Sequence, residues 1–148
     1  MSRSQDAMPQ SSFFAVVRCG AFFYPEKTID VLRAYIAEGV DVNAQDQYGC
    51  TALMYAAEHG SAETVRALIE AGASLETRNG DGWTAIMCAA SDAAIEALIA
   101  AGADVNAAAD DGTTVLMRAA MARSAGTVRA LVKAGADLNA RNGKGFSP

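Results

Sequence analysis

Four groups of residues in this 148-residue chain have types and spacings that could do chemistry. Gly80-Asp-Gly82-Trp-Thr-Ala85 fits G-x-G-x-x-A, the spacing that lets a backbone approach a dinucleotide pyrophosphate. That chemistry needs a preceding strand within a βαβ unit, and this stretch reads as a turn instead. Asp110-Asp111 pairs two carboxylates that could hold a cation or move a proton. No second ligand set accompanies them, so no metal is assigned, and a solvated acidic turn accounts for the pair. His59, the single histidine, stands just before Gly60 and reads as a helix-terminal surface residue rather than a general base. Cys19, Cys50 and Cys88 are odd in number and lack C-x-x-C spacing. This speaks against a disulfide framework or Cys-rich zinc site and for a reducing, cytoplasmic setting. Walker-type, H-E-x-x-H and G-x-S-x-G motifs are absent from the sequence. The sequence therefore offers no catalytic residue, no cofactor site and no metal site, and the chain reads as not an enzyme.

Composition agrees. Apolar residues make up 51% and charged residues 20%, too apolar for disorder and too interrupted for a membrane span. A net charge of −5 disfavours indiscriminate binding to nucleic acid or anionic lipid. The apolar stretch from Phe13 to Tyr24 is broken by Arg18 and ends without a small-residue cleavage site, so it is not expected to be an export signal. Residues 1–12, rich in Ser and Gln, read as a flexible tail.

The elements that position these residues recur. Gly39-Val-Asp-Val-Asn-Ala, Gly72-Ala-Ser-Leu-Glu-Thr, Gly102-Ala-Asp-Val-Asn-Ala and Gly135-Ala-Asp-Leu-Asn-Ala start 33, 30 and 33 residues apart. Between them lie Tyr48-Gly-Cys-Thr-Ala-Leu-Met-Tyr-Ala-Ala and its counterparts from Asp81 and Asp111. Thr51, Thr84 and Thr114 precede apolar runs, where a hydroxyl can cap a starting helix. Leu53/Ala56/Ala57, Ile86/Ala89/Ala90 and Leu116/Ala119/Ala120 give each first helix an i, i+3, i+4 stripe. Val65/Leu68/Ile69, Ile95/Leu98/Ile99 and Val128/Leu131/Val132 do so for each second helix. Ser61, Ser124 and, in the short repeat, Asp92 are the expected caps of the second helices. Each second helix ends at a glycine suited to the left-handed C′ conformation. Asn79-Gly and Asn142-Gly predict tight turns. The repeated Met54, Met87 and Met117 read as structural.

A helix–turn–helix unit with a 33-residue period and these two blocks resembles the ankyrin repeat family over roughly residues 13–148. The resemblance implies an all-α solenoid of stacked helix-turn-helix units joined by β-turn or hairpin loops. Its expected divisions are a degenerate first repeat over 13–46, repeats over 47–79, 80–109 (short) and 110–142, and the start of another at 143–148. The family's Pro is Ala52, Ala85 and Val115 here, and its His is Met54, Met87 and Met117, so an inter-repeat hydrogen bond gives way to thioether packing. An extra segment, about Ala21 to Thr28, interrupts the first repeat. The three-residue shortening falls between Ala90 and Ile95 and predicts a tightened loop and a notched rim. With no polar cap after Lys144-Gly-Phe-Ser-Pro148, the face of Val128, Leu131 and Val132 is expected to be partly bare, as in a fragment or a covered edge.

The family's partners usually lie on the concave face, formed by turn tips and the exposed side of the first helices. Carried over by register, this implies Gln47, Tyr48, Cys50, Tyr55, Glu58 and His59 in the first full repeat. The second supplies Asp81, Trp83, Cys88 and Ser91, and the third Asp110, Asp111, Thr113, Arg118, Met121 and Ala122, with Lys144 and Phe146 extending the row. Tyr48, Tyr55, Trp83 and Arg118 are the expected anchors, being the residue types that dominate interface energetics. Two alternatives stay open: Tyr55 and Cys88 packing between repeats, and Trp83 covering a neighbouring turn. Residues 1–111 carry six basic and sixteen acidic side chains, a net of −10, whereas residues 112–148 carry a net of +5. A complementary partner would be steered by that dipole. The expected function is a non-catalytic module binding another protein, with no nucleic-acid or membrane partner. The alternatives are a regulatory or targeting segment of a larger multidomain protein, conceivably an enzyme, and a scaffold self-associating through its C-terminal edge.

Overall fold

The computed structural model describes residues 12–20, 25–59 and 61–148. Two rows of helices run through it. The inner row holds a π-helical turn (Val16–Gly20), α2 (Ala52–Glu58), α4 (Ala85–Cys88) and α6 (Val115–Met121). The outer row holds α1 (Pro25–Ala37), α3 (Ala62–Glu70), α5 (Asp92–Ala100) and α7 (Ala125–Lys133). Each inner helix packs on the outer helix that follows it and on its inner-row neighbours, and each outer helix packs on the next outer helix. Among the described residues there is no strand, only an isolated antiparallel bridge between Ala108 and Thr114.

The stripes read from sequence form the core. Leu53, Leu68, Ile86, Leu98 and Leu131 are fully enclosed, as are Phe13, Val17 and Leu32 of the first repeat. Each such side chain contributes about 1.5–3 kcal/mol relative to exposure. Ala52, Ala56 and Ala57 are also sealed, and their small size lets the inner helices approach closely. Repeats are further tied by polar clamps. Asn43 Nδ2 donates to the Gly72 carbonyl (3.1 Å) while its Oδ1 accepts from the Ser74 amide (2.7 Å). Asn106 repeats this on Gly135 (3.1 Å) and Asp137 (2.7 Å). At the turns, the amides of Gly80, Asp110 and Gly143 donate to the carbonyls of Tyr48, Asp81 and Asp111.

Capping follows expectation in the full-length repeats. Thr51 and Thr114 accept from the Met54 and Met117 amides, and Ser61 and Ser124 from those of Thr64 and Thr127. Gly39, Gly72, Gly102 and Gly135 sit at φ +86°, +93°, +93° and +94°, where a Cβ would be strained, so glycine ends each outer helix.

The short repeat departs in three ways. Ser91, not Asp92, is the N-cap of α5, its Oγ accepting from the Ala94 amide (3.1 Å), because Asp92 is already the first helical residue. Ala89 and Ala90 are not on the first helix: α4 ends at Cys88, Ala89 is extended, and the Ala90 amide donates across to the Ala57 carbonyl (3.1 Å). The deletion is thus absorbed by cutting the inner helix as well as tightening the loop. Thr84 makes no capping bond in this four-residue helix, and its enclosed hydroxyl has no partner among the described residues.

The ends also differ from expectation. Of the stripe expected to be partly bare, Leu131 is fully buried, Val128 half-buried and Val132 42% exposed. Residues 25–28 belong to α1 rather than to an inserted segment, while the rest of that segment (residues 21–24) and the tail apart from Ser12 lie outside the described residues. Ser12 itself is helical.

Candidate functional site

The side of the stack made by the turn tips and inner row carries the residues that sequence singled out. Each tip is built by a side chain that accepts from its own turn. Asp46 Oδ1 takes the amides of Tyr48 (2.9 Å) and Cys50 (3.0 Å), and Asn79 Oδ1 those of Asp81 and Trp83 (both 3.0 Å). The third repeat has Ala109 at that place, and Asp111 substitutes by accepting from the amide and hydroxyl of Thr113 (both 2.9 Å). Those bonds hold the Asp111 carboxyl below the usual carboxylate range. Gln45 and Arg78 brace successive tips, Arg78 Nη1 reaching the carbonyls of Gly82 (3.2 Å) and Ala108 (2.6 Å).

Between the first and second tips, those of Asp46 and Asn79, lies a cleft of roughly 440 Å³. Tyr55, Glu58, Asp81, Trp83 and Arg118 all line it, together with Cys50 and Cys88. The Arg118 guanidinium lies over the Trp83 ring, 4.4 Å from its centroid, a cation–π pair spanning two repeats. Trp83 thereby presents one covered face and remains half-buried. Its ring lines an open groove and lies under the Arg118 side chain.

Tyr55 is more a packing residue than an open anchor. Its ring meets Phe14 edge-on at 6.4 Å, Arg18 lies 5.3 Å above it, and its hydroxyl donates to Asp46 Oδ2 (2.5 Å). Burial, then the Asp46 carboxylate, push the phenol well above its ordinary range, so it stays a neutral donor. Partial burial pushes Asp46 up, but the bonds from Tyr55 and from the Tyr48 and Cys50 amides outweigh it and leave the carboxyl below its ordinary value. Arg18 and Asp46 were missed as functional neighbours. Asp46 had a signal, since it occupies the turn place of Asn79 and Asn142, whereas Arg18 had none.

Other candidates are dispersed. Tyr48 is an exposed aromatic tip, at 63%, and Gln47 and Asp111 are also exposed. Ser91 is committed to capping α5. Met121 (83% exposed) and Thr113 line a separate groove of roughly 330 Å³ with Met117, Asn142 and Phe146. His59 is the exposed C-cap of α2. Cys50 and Cys88 are free thiols, and burial, reinforced by Cys50, pushes Cys88 up to about 12. No group of three or more His, Cys, Asp or Glu side chains that could hold a metal occurs among the described residues. No helix among them is long and apolar enough to cross a membrane.

A family model described as ankyrin repeats (3 copies) matches residues 23–109 and again 72–142 of this sequence.

Proposed function

Since the chain belongs to the ankyrin repeat family, whose repeats are in general protein–protein interaction modules and typically non-catalytic, we propose that it is a non-catalytic module that binds a partner protein on its concave face. The observation that carries this is the Trp83–Arg118 pair beside an open, acid-lined cleft, continued by the exposed ring of Tyr48. Aromatic and arginine side chains held in place by the scaffold are the groups that dominate interface energetics. Gln47, Tyr55, Glu58, Asp81, Ser91, Asp111, Thr113 and Met121 form the surrounding surface in this reading. The free thiols at Cys50 and Cys88 support a reducing, cytoplasmic setting. The test is affinity capture from source-cell lysate with the parent chain and a folded Tyr48→Ala/Trp83→Ala/Arg118→Ala variant. A protein retained by the parent and lost by the variant supports the reading. Equal retention by both refutes it.

One observation favours a second reading. Met121 and Phe146, 83% and 65% exposed, flank the apolar groove at the C-terminal end, a surface through which copies could self-associate. A concentration-dependent mass by light scattering that Met121→Glu abolishes is expected if they do.

A further inference from the structure

The missing turn in the short repeat leaves a hollow of its own. In the neighbouring repeats the first helix runs on through Glu58 and Met121 before its turn, whereas the second passes from Ala90 straight to Ser91. Where that turn would lie is a hollow of roughly 290 Å³, floored by Met87, Ile95, Val115 and Ala119 and rimmed by Asp92 and Arg118. We propose that this hollow anchors one aliphatic side chain of an extended partner segment whose adjoining basic side chain enters the Glu58–Asp81 cleft. The inference rests on the interaction-module reading and specifies the chemistry of the partner.

Three observations carry it. First, hollow and cleft adjoin, sharing Ala90 and Arg118 in their linings, within the reach of one extended segment. Second, the floor is apolar and already held in place: Met87, Ile95 and Val115 are at most 5% exposed, so an aliphatic group can bury itself there without reorganising the core. Third, the charge along the groove is unbalanced. Glu58, Asp81 and Asp92 face it, while its one cation, Arg118, is committed to the Trp83 ring. Asp92 is fixed as an anion because Ser124 Oγ (2.8 Å) and Thr127 Oγ1 both donate to it, holding its carboxyl below the ordinary range. A groove with three carboxylates against one guanidinium favours a lysine or arginine on the partner.

The test is selection of random nine-residue peptides, displayed on phage, against the full chain, followed by titration of the selected peptides, each carrying a fluorescein label, by fluorescence anisotropy. The expected outcome is enrichment of Leu, Ile, Val or Met within two positions of Lys or Arg. Two variants fill the hollow: insertion of Glu-His-Gly between Ala90 and Ser91, which restores the full repeat length, and Ala122→Leu at the exposed rim. Each is expected to weaken the selected peptides by about tenfold or more, the scale of losing an aliphatic contact in an apolar pocket. Asp81→Lys is expected to weaken them further at low salt than at high salt. Circular dichroism establishes that each variant is folded, and Ala122→Leu serves if the insertion is not. The proposal is overturned if no peptide is selected, if the aliphatic–basic pattern is absent, or if Ala122→Leu binds unchanged. Where the hollow-filling variants bind unchanged but a Trp83→Phe/Arg118→Ala variant does not, the anchor falls and the module reading stands. Where that variant also binds unchanged, the face assignment falls with it.

Discussion

Replacing Glu76 with Asn should stabilise the protein, because it completes a clamp that the other repeats already have. Glu76 occupies the place of Asn43 and Asn106 in the repeated block, but makes only the accepting half of the clamp, taking the Asp104 amide at 2.8 Å. It has no amide to donate to the Gly102 carbonyl as Asn43 does to Gly72. A net hydrogen bond contributes about 0.5–1.5 kcal/mol, and exposure places this one at the low end, so Glu76→Asn should gain about 0.5–1 kcal/mol. Asn106→Ala removes both halves of an existing clamp and should cost about 1–2 kcal/mol. Asn139, at the same place, makes no such side-chain bond among the described residues, so Asn139→Ala should be near neutral. In urea, with a slope of about 2 kcal/mol per molar, the midpoint should rise by about 0.3–0.5 M for Glu76→Asn and fall by about 0.5–1 M for Asn106→Ala. Unfolding followed together by circular dichroism and Trp83 fluorescence measures both. A lower midpoint for Glu76→Asn, or equal effects at Asn106 and Asn139, would refute the reasoning.

Three further outcomes are expected. Thr84→Val removes an enclosed hydroxyl that has no partner and should be neutral or stabilising by up to about 1 kcal/mol, whereas Thr114→Val loses a cap and should cost about 1 kcal/mol by the same urea assay. Because the Asp46 carboxyl lies lower in the folded chain than its ordinary value, its contribution is present above about pH 4 and is lost as pH falls through the folded value. Asp46→Asn should therefore flatten the acid side of the stability profile, read as thermal midpoint against pH. With its pKa pushed up from 9.0 to about 12, Cys88 should be alkylated by iodoacetamide at pH 8 at roughly a thousandth of the rate of an ordinary thiol. A Cys19→Ser/Cys50→Ser variant isolates that rate by mass spectrometry.

Features set within one repeat were legible in the sequence. Thr51, Thr114, Ser61 and Ser124 cap where their spacing placed them, and the C′ glycines take positive φ. Both depend on a few adjacent residues. What depended on contacts across repeats was not legible. The cap of α5 is an exception, because Ser91 lies four residues before Ile95 as Ser61 does before Val65 and Ser124 before Val128, a spacing that favours it over Asp92. Nothing local says that a three-residue deletion will end α4 at Cys88. Leu131 was assigned to an outer face because its stripe shows periodicity but not which side of a stack it meets. The cleft followed the same pattern: Trp83 and Arg118 were named singly, while their stacking and the setting of Tyr55 between Phe14, Arg18 and Asp46 arise only when repeats are laid together.

The truncated α4 also sets where the array is weakest. In a solenoid, stability is close to a sum of unit terms and nearest-neighbour couplings, so fraying ordinarily begins at the ends. Here an interior unit combines the shortest of the α-helices α1–α7 and an uncapped threonine, and it is tied to the preceding repeat by a half-made clamp at Glu76. The middle of the chain is thus a soft joint between two better-coupled segments, and the groove beside Trp83 lies across it. A ligand bridging that joint would couple the two segments and raise the cooperativity of the whole array, so binding would be felt as stiffening well beyond the residues it touches.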